Sequence, residues 1–262
     1  YRTEQNPIAV ERGMCSSSAE LGGNHCGALQ KRLTLQPGEQ TRLIFLLGEG
    51  GIEEGKAIRQ AYANETAVDE QFEKLRVFWD EKLTRLQIST PNAGMNALVN
   101  IWTLYQSEIN VIFSRFSSFI EVGGRTGLGY RDTAQDAMCV PHSNPIKCRQ
   151  RIVELLRAET TAGYGLHLFE PRWFEPEQKQ QSFRSPTVIP VPDRASIVHG
   201  IKDACSDDAL WLVVAVTQYI RETGDLGFAG ERITYADGGE ESVYDHLKRI
   251  LNFSAEQVGQ NG

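Results

Sequence analysis

Between Gly123 and Asp136 the chain reads Gly-Gly-Arg-Thr-Gly-Leu-Gly-Tyr-Arg-Asp-Thr-Ala-Gln-Asp, a concentration of groups suited to a polyhydroxylated ligand. Four glycines permit a tight turn or a close approach of backbone to ligand, because they carry no Cβ to forbid positive φ. Arg125, Arg131, Asp132 and Asp136 lie where this loop gives way to a helix. A sugar hydroxyl both donates and accepts, so a guanidinium fork and a carboxylate together satisfy it. The same residues also suit a plainer structure, a glycine-rich loop closed by an ion pair between Asp132 and either arginine. Composition leaves both readings open.

Asp132 and Asp136 are four residues apart and share a face if the helix begins at Arg131. Like charges so placed repel unless a cation or hydroxyl donors compensate, which favours a site. The pair is poorly placed to break a glycosidic bond, since the two carboxyl groups of such chemistry flank the bond. Successive turns of one helix set both on one side, where they can hold a ring. Arg115 falls at the end of the preceding helix, where it either answers the helix dipole or points into the pocket that the loop lines. Ser206-Asp207-Asp208 before an apolar run reads as a helix start rather than a site. Trp173 and Phe174 either stack on a sugar face or pin a long loop, and His142 and His199 stand beside turn residues with no declared role.

Charge and cysteine usage narrow the class. The formal net charge is −7 with no basic run, which argues against nucleic acid and anionic lipid as partners. No apolar stretch is long enough to span a bilayer. Five cysteines (Cys15, Cys26, Cys139, Cys148, Cys205) form no C-x-x-C pair and are odd in number, as expected of free thiols in a reducing cytosol. The five histidines lack the local spacing of zinc ligands, so neither a metal nor a cofactor is expected. The chain opens at Tyr1 with neither methionine nor signal peptide and stops just past a helical pattern, which reads as an internal piece of a longer protein.

The elements that must position these residues follow from periodicity and punctuation. Strands are expected over 24–35 and 40–47, around the turn Gln36-Pro37-Gly38-Glu39. Helices are expected over 52–62 and 68–86, the second heavily charged, and a strongly apolar helix from Asn92. In the latter Leu98, Ile101, Trp102, Tyr105, Ile109, Ile112 and Phe113 recur at steps of three and four, predicting a face buried against other helices. Further helices are expected over 133–139, from the Asn144 cap and Pro145 to about 160, over 209–222, and over 241–258. The stretch 167–200 is proline-rich and irregular. Strands give way to helices without alternating βα units, so a parallel α/β fold is not expected.

The string from Gly123 to Asp136, continued by Ala137-Met138-Cys139-Val140-Pro141-His142-Ser143-Asn144-Pro145, resembles the glycoside hydrolase family 94 phosphorylases. Gly163-Tyr164-Gly165-Leu166-His167-Leu168-Phe169, Cys205-Ser206-Asp207-Asp208-Ala209-Leu210-Trp211-Leu212 and Phe253-Ser254-Ala255-Glu256-Gln257-Val258-Gly259 support the same resemblance. It implies a mainly α chain: the end of an N-terminal β-sandwich (1–50), a helical linker (51–91) and about the first half of an (α/α)6 barrel (92–262), in a homodimeric cytoplasmic protein. It implies cleavage of a β-linked disaccharide by inorganic phosphate with inversion. Phosphate then replaces the activated water and a single protein acid suffices. Arg125 and Asp132 match the family's contacts to the nonreducing sugar, with Arg115 nearby and Arg131 and Asp136 supporting. No catalytic residue is expected in this chain. The general acid belongs to an Asp-Trp-Asn-Asp string expected beyond Gly262, and the phosphate-binding histidine and threonine lie further downstream. Phosphate is a co-substrate, and no cofactor or metal is implied.

Overall fold

The computed structural model describes residues 8–15, 28–48, 51–113, 127–174 and 204–259, and the chain divides into compact units at 1–47 and 48–262. Arg115, Arg125, Cys26, His199 and the loop glycines at 123 and 124 lie outside the described residues, as does most of the stretch 167–200.

In the first unit a short helix, α1 (Ile8–Glu11), precedes the predicted turn. That turn forms: Glu39 N donates to Gln36 O at 2.9 Å, Gln36 N donates to Glu39 Oε2 at 2.8 Å, and Gly38 takes φ 84°. The flanking strands do not form among the described residues of 28–48, which are irregular and largely exposed. A strand exists through its ladder, and two short segments around one turn cannot sustain a sheet by themselves.

The second unit is helical from its start. Helix α2 (Ile52–Ala61) leads to α3 (Glu65–Leu83), which begins where the Asn64 side chain accepts from Ala67 N at 2.9 Å. No residue of α3 is buried, as its charge decoration predicts. Its last turn is anchored by Lys82, whose Nζ lies 3.1 Å from the buried Glu108 carboxylate.

Asn92 caps α4 (Ala93–Ala97), which continues through a π-helical segment, Leu98–Thr103, into α5 (Leu104–Phe113). The apolar stripe is not buried as its spacing predicts. Leu104, Glu108 and Val111 face inward, whereas Leu98, Ile101, Trp102, Tyr105 and Ile112 are exposed among the described residues. The π turn, with its i→i+5 bonding, breaks the 3.6-residue period on which that expectation rests. A different row of side chains therefore faces the core.

Helices α6 (Tyr130–Ala137), α7 (Pro145–Arg157), α8 (Asp208–Thr223) and α9 (Val243–Glu256) make the core. Cys148, Ile152, Leu155 and Leu156 of α7 meet Ala134 and Ala137 of α6 and Leu212, Ala215 and Val216 of α8 in one continuous cluster. Burial pushes the Cys148 thiol up to about 12, so it stays protonated there. The buried Arg151 of α7 ties that helix to α5: its Nε donates to Val111 O at 2.8 Å and its Nη2 to Ile112 O at 2.7 Å. Two small antiparallel pairs that the sequence reading misses complete the unit, β1 (Leu128–Gly129) with β2 (Leu168–Phe169) and β3 (Arg232–Thr234) with β4 (Glu240–Ser242). Among the described residues no helix is long and apolar enough to cross a membrane.

Asn144 does two things at the start of α7. Its Oδ1 accepts from Lys147 N at 3.2 Å, and its Nδ2 donates to Glu108 Oε2 at 3.0 Å. Asn144→Ala removes a cap and one of the donors to a buried carboxylate, so a loss of about 2 kcal/mol is expected in urea unfolding. Asn144→Ser restores the cap alone and is expected to recover about half of that.

Candidate functional site

The site is assembled at the N-terminus of α6. Gly127 takes φ 109°, and a Cβ there would lie 3.0 Å from Phe169 O, so glycine is required on both counts. The next two residues pair with β2, Leu128 opposite Phe169 and Gly129 opposite Leu168, and Tyr130 N then donates to His167 O at 3.1 Å. Gly129 is the N-cap and Tyr130 the first helical residue, which puts Arg131 and Asp132 in the first turn. The helix thus starts three residues earlier than the 133–139 expectation, and Asp132 and Asp136 share a face as four-residue spacing requires. Asp132 is half-buried and Asp136 buried.

Tyr130 is the keystone of this corner. Its ring is fully buried, lying edge-on to Phe169 at a centroid distance of 6.0 Å and directly against Gly165. Burial pushes its pKa well above 10, and the nearby Glu159 and Asp208 carboxyl groups push the same way. It is a neutral phenol at any working pH.

Arg131 is half-exposed, and its partner is not Asp132. Its Nη1 lies 3.1 Å from Asp207 Oδ2, which also accepts from Trp211 Nε1 at 3.3 Å. Burial alone raises the Asp207 pKa, but the bonds from Arg131 and Trp211 outweigh it and hold the group below its ordinary 3.8. Asp207 stands at the N-cap position of α8 yet makes no side-chain cap bond. The helix starts where the sequence expects it, but the capping expectation is corrected: the charge 76 residues upstream recruits the carboxylate that local pattern assigns to capping. Asp208, fully buried, turns the other way and bonds His167 Nδ1 at 2.9 Å, with Cys205 Sγ 3.3 Å from the same nitrogen.

Of the predicted residues, Arg131, Asp132 and Asp136 lie on one short helix at this corner. Arg115 and Arg125 fall outside the described residues. Trp173 and Phe174 sit on a 3-10 turn (Pro171–Phe174) and pack against the core, Phe174 at 6.3 Å from Phe169, which favours the loop-pinning reading. His142 is exposed on the turn before α7. Asp207, Asp208, His167 and Cys205 join this corner without a site signal of their own in the sequence, where the two aspartates read as a helix start and all four belong to the strings around 163–169 and 205–212. Chemically the corner offers a guanidinium and carboxylates on a short helix, an arrangement that holds hydroxyl groups.

Residues 78–262 match the Glycosyl hydrolase 94 superfamily catalytic domain, and residues 1–66 match the Glycosyl hydrolase 94 supersandwich domain. The chain belongs to the glycosyl hydrolase 94 family. Within it, the chain is 54% identical over 263 aligned residues to N,N′-diacetylchitobiose phosphorylase of Vibrio proteolyticus, across 100% of this chain and 33% of that protein. It is 53% identical to N,N′-diacetylchitobiose phosphorylase of Vibrio furnissii over the same shares. A solabiose phosphorylase of Paenibacillus borealis is 24% identical across 100% of this chain and 29% of that protein. The chain spans about a third of the length of these relatives.

Proposed function

We propose that this chain is part of an inverting phosphorylase that cleaves N,N′-diacetylchitobiose with inorganic phosphate, giving N-acetyl-α-glucosamine 1-phosphate and N-acetylglucosamine. The observation that carries the reading is the 54% identity to a protein of that name across the whole of this chain. In this reading residues 92–262 form about half of an (α/α)6 barrel, 51–91 link it to the sandwich, and the whole protein is a cytoplasmic homodimer. Asp132, with Arg125 and Arg115, holds the nonreducing sugar. Arg131 is kept in line by Asp207, and Asp136 supports the helix face from beneath.

The chemistry needs one proton donor. A phosphate oxygen bonds to the anomeric carbon as the glycosidic bond breaks, and a carboxylic acid beyond Gly262 protonates the departing oxygen. This chain contributes binding and orientation, which is worth much of the barrier when the ring is fixed against an attacking phosphate. No cofactor or metal takes part in that step.

The test is phosphorolysis by the full-length protein, followed by NMR of the sugar phosphate. Chitobiose with phosphate is expected to yield the α-anomer, chitobiose without phosphate to remain intact, and residues 1–262 alone to release nothing. Turnover of cellobiose in preference to chitobiose overturns the substrate assignment. Binding of chitobiose by the full-length protein without turnover replaces the enzyme reading with a carbohydrate-binding one.

A further inference from the structure

The sequence reading expects no metal ligands, because no two histidines or cysteines stand at a local zinc spacing. The fold brings together what the sequence separates. His167 leads into β2, and its carbonyl is clipped to Tyr130 N. Cys205 and Asp208 are held on one turn by the bond from Asp208 N to Cys205 O at 3.4 Å. One ligand-type atom from each, His167 Nδ1, Cys205 Sγ and an Asp208 carboxylate oxygen, falls within 4.8 Å of the others. Two of the separations are 2.9 and 3.3 Å. Around tetrahedral zinc, bond lengths near 2.0–2.3 Å place ligand atoms about 3.3–3.6 Å apart, so only a slight spreading is needed.

We infer that His167, Cys205 and Asp208 form a binding site for a thiophilic divalent cation of the zinc type, with one position open to water or a ligand. Three observations beyond the clustering support it. Asp208 is 0% exposed and its Oδ1 has no hydrogen-bond partner among the described residues, an expensive arrangement for a carboxylate that a cation relieves. The donor set is one thiolate, one carboxylate and one neutral imidazole, which cancels a double positive charge. Finally, Cys205 and His167 are both exposed while Asp208 is buried, so two of the three ligands are reachable from solvent and the third is shielded from it.

Binding exchanges the Asp208–His167 hydrogen bond for two metal bonds. The imidazole proton resides on Nε2 so that the Nδ1 lone pair ligates, and the thiol proton leaves to buffer as sulfur bonds the cation. The neighbouring positive charge, Arg131, is already paired with Asp207 and does not oppose entry with an unbalanced charge. The site does not depend on the phosphorylase reading and is read out without turnover.

The probe is Co2+ as a spectroscopic stand-in for Zn2+, added to chelator-free full-length protein. A thiolate-to-cobalt charge-transfer band saturating at one equivalent, bleached by Zn2+, is expected. Cys205→Ser is expected to abolish it, His167→Gln to weaken affinity on the order of 100-fold, and Cys139→Ser to leave it unchanged. Both ligand substitutions are at exposed side chains. Should either variant unfold, protection of Cys205 from iodoacetamide by Zn2+, mapped by peptide mass in the unaltered protein, decides the matter. Absence of the band, its survival in Cys205→Ser, or alkylation of Cys205 at the same rate with and without Zn2+ overturns the site.

Discussion

Replacing Gly165 with alanine is expected to destabilise the protein by about 3 kcal/mol and to lower kcat/KM of the full-length protein for the proposed phosphorolysis about 100-fold. A Cβ at Gly165 would lie 2.6 Å from Cε2 and Cζ of the Tyr130 ring and 2.8 Å from Cδ2, well inside contact. Neither side has room to give. Gly165 is bridged to Glu159, and the next residue is held by Leu166 N donating to Ala158 O at 3.0 Å. The ring is fully buried with Phe169 across its edge. The strain therefore passes along the backbone of Tyr130, the first residue of α6, to Arg131 and Asp132 one and two positions on. A shift of about 1 Å in groups that orient a substrate costs on the order of 100-fold in rate. Tyr130→Ala removes all three ring atoms that clash. In that background the further cost of Gly165→Ala should fall below about 1 kcal/mol by urea unfolding. Two penalties that simply add would show that the ring contact is not the cause.

The features that the sequence discloses are those decided within a few residues. Asn92 and Asn144-Pro145 mark helix starts because an asparagine side chain satisfies a backbone N–H three residues on, and both caps are found where the pattern puts them. The turn at Pro37-Gly38 is likewise local. The features that escape it are settled by partners far along the chain. The strands β1 and β2 are two residues each, and about forty residues separate them, so no periodicity announces them. The hairpin of β3 and β4 turns at Asp237-Gly238-Gly239, but its strands are three residues each, too short for alternation to declare them. Asp207 is the clearest case. Its local pattern is a cap, and its role in the fold is to hold Arg131. Helix α5 escapes for a different reason: a π turn changes the phase of the stripe, which a fixed 3.6-residue period cannot anticipate.

Glu159 and His246 make the second large expectation, a stability that falls as pH rises toward neutrality. Both are fully buried, with Glu159 Oε2 2.7 Å from His246 Nδ1, and His246 Nε2 donates to Ile233 O at 3.0 Å. Nε2 must keep its hydrogen, so the second bond has one proton shared between Glu159 and Nδ1. Burial drives the Glu159 carboxyl from 4.5 up to about 7; the His246 hydrogen bond and charge and the Arg249 charge pull it down, and Glu241 pushes it up slightly. Glu241 is itself held at about 2 by its bonds from Arg249 and Tyr235, and so keeps its charge throughout. Between about 4.5 and about 7 the folded chain carries a proton on Glu159 that the unfolded chain has lost. The contribution is complete below the lower value and is lost as pH climbs through the upper one, a span worth about 3 kcal/mol. Glu159→Gln retains a donor to Nδ1 and removes the titration. Thermal or urea unfolding of the full-length protein from pH 4.5 to 8 should therefore show the unaltered protein losing stability relative to Glu159→Gln as pH rises. Parallel curves would mean that Glu159 takes up no proton on folding and would overturn this account.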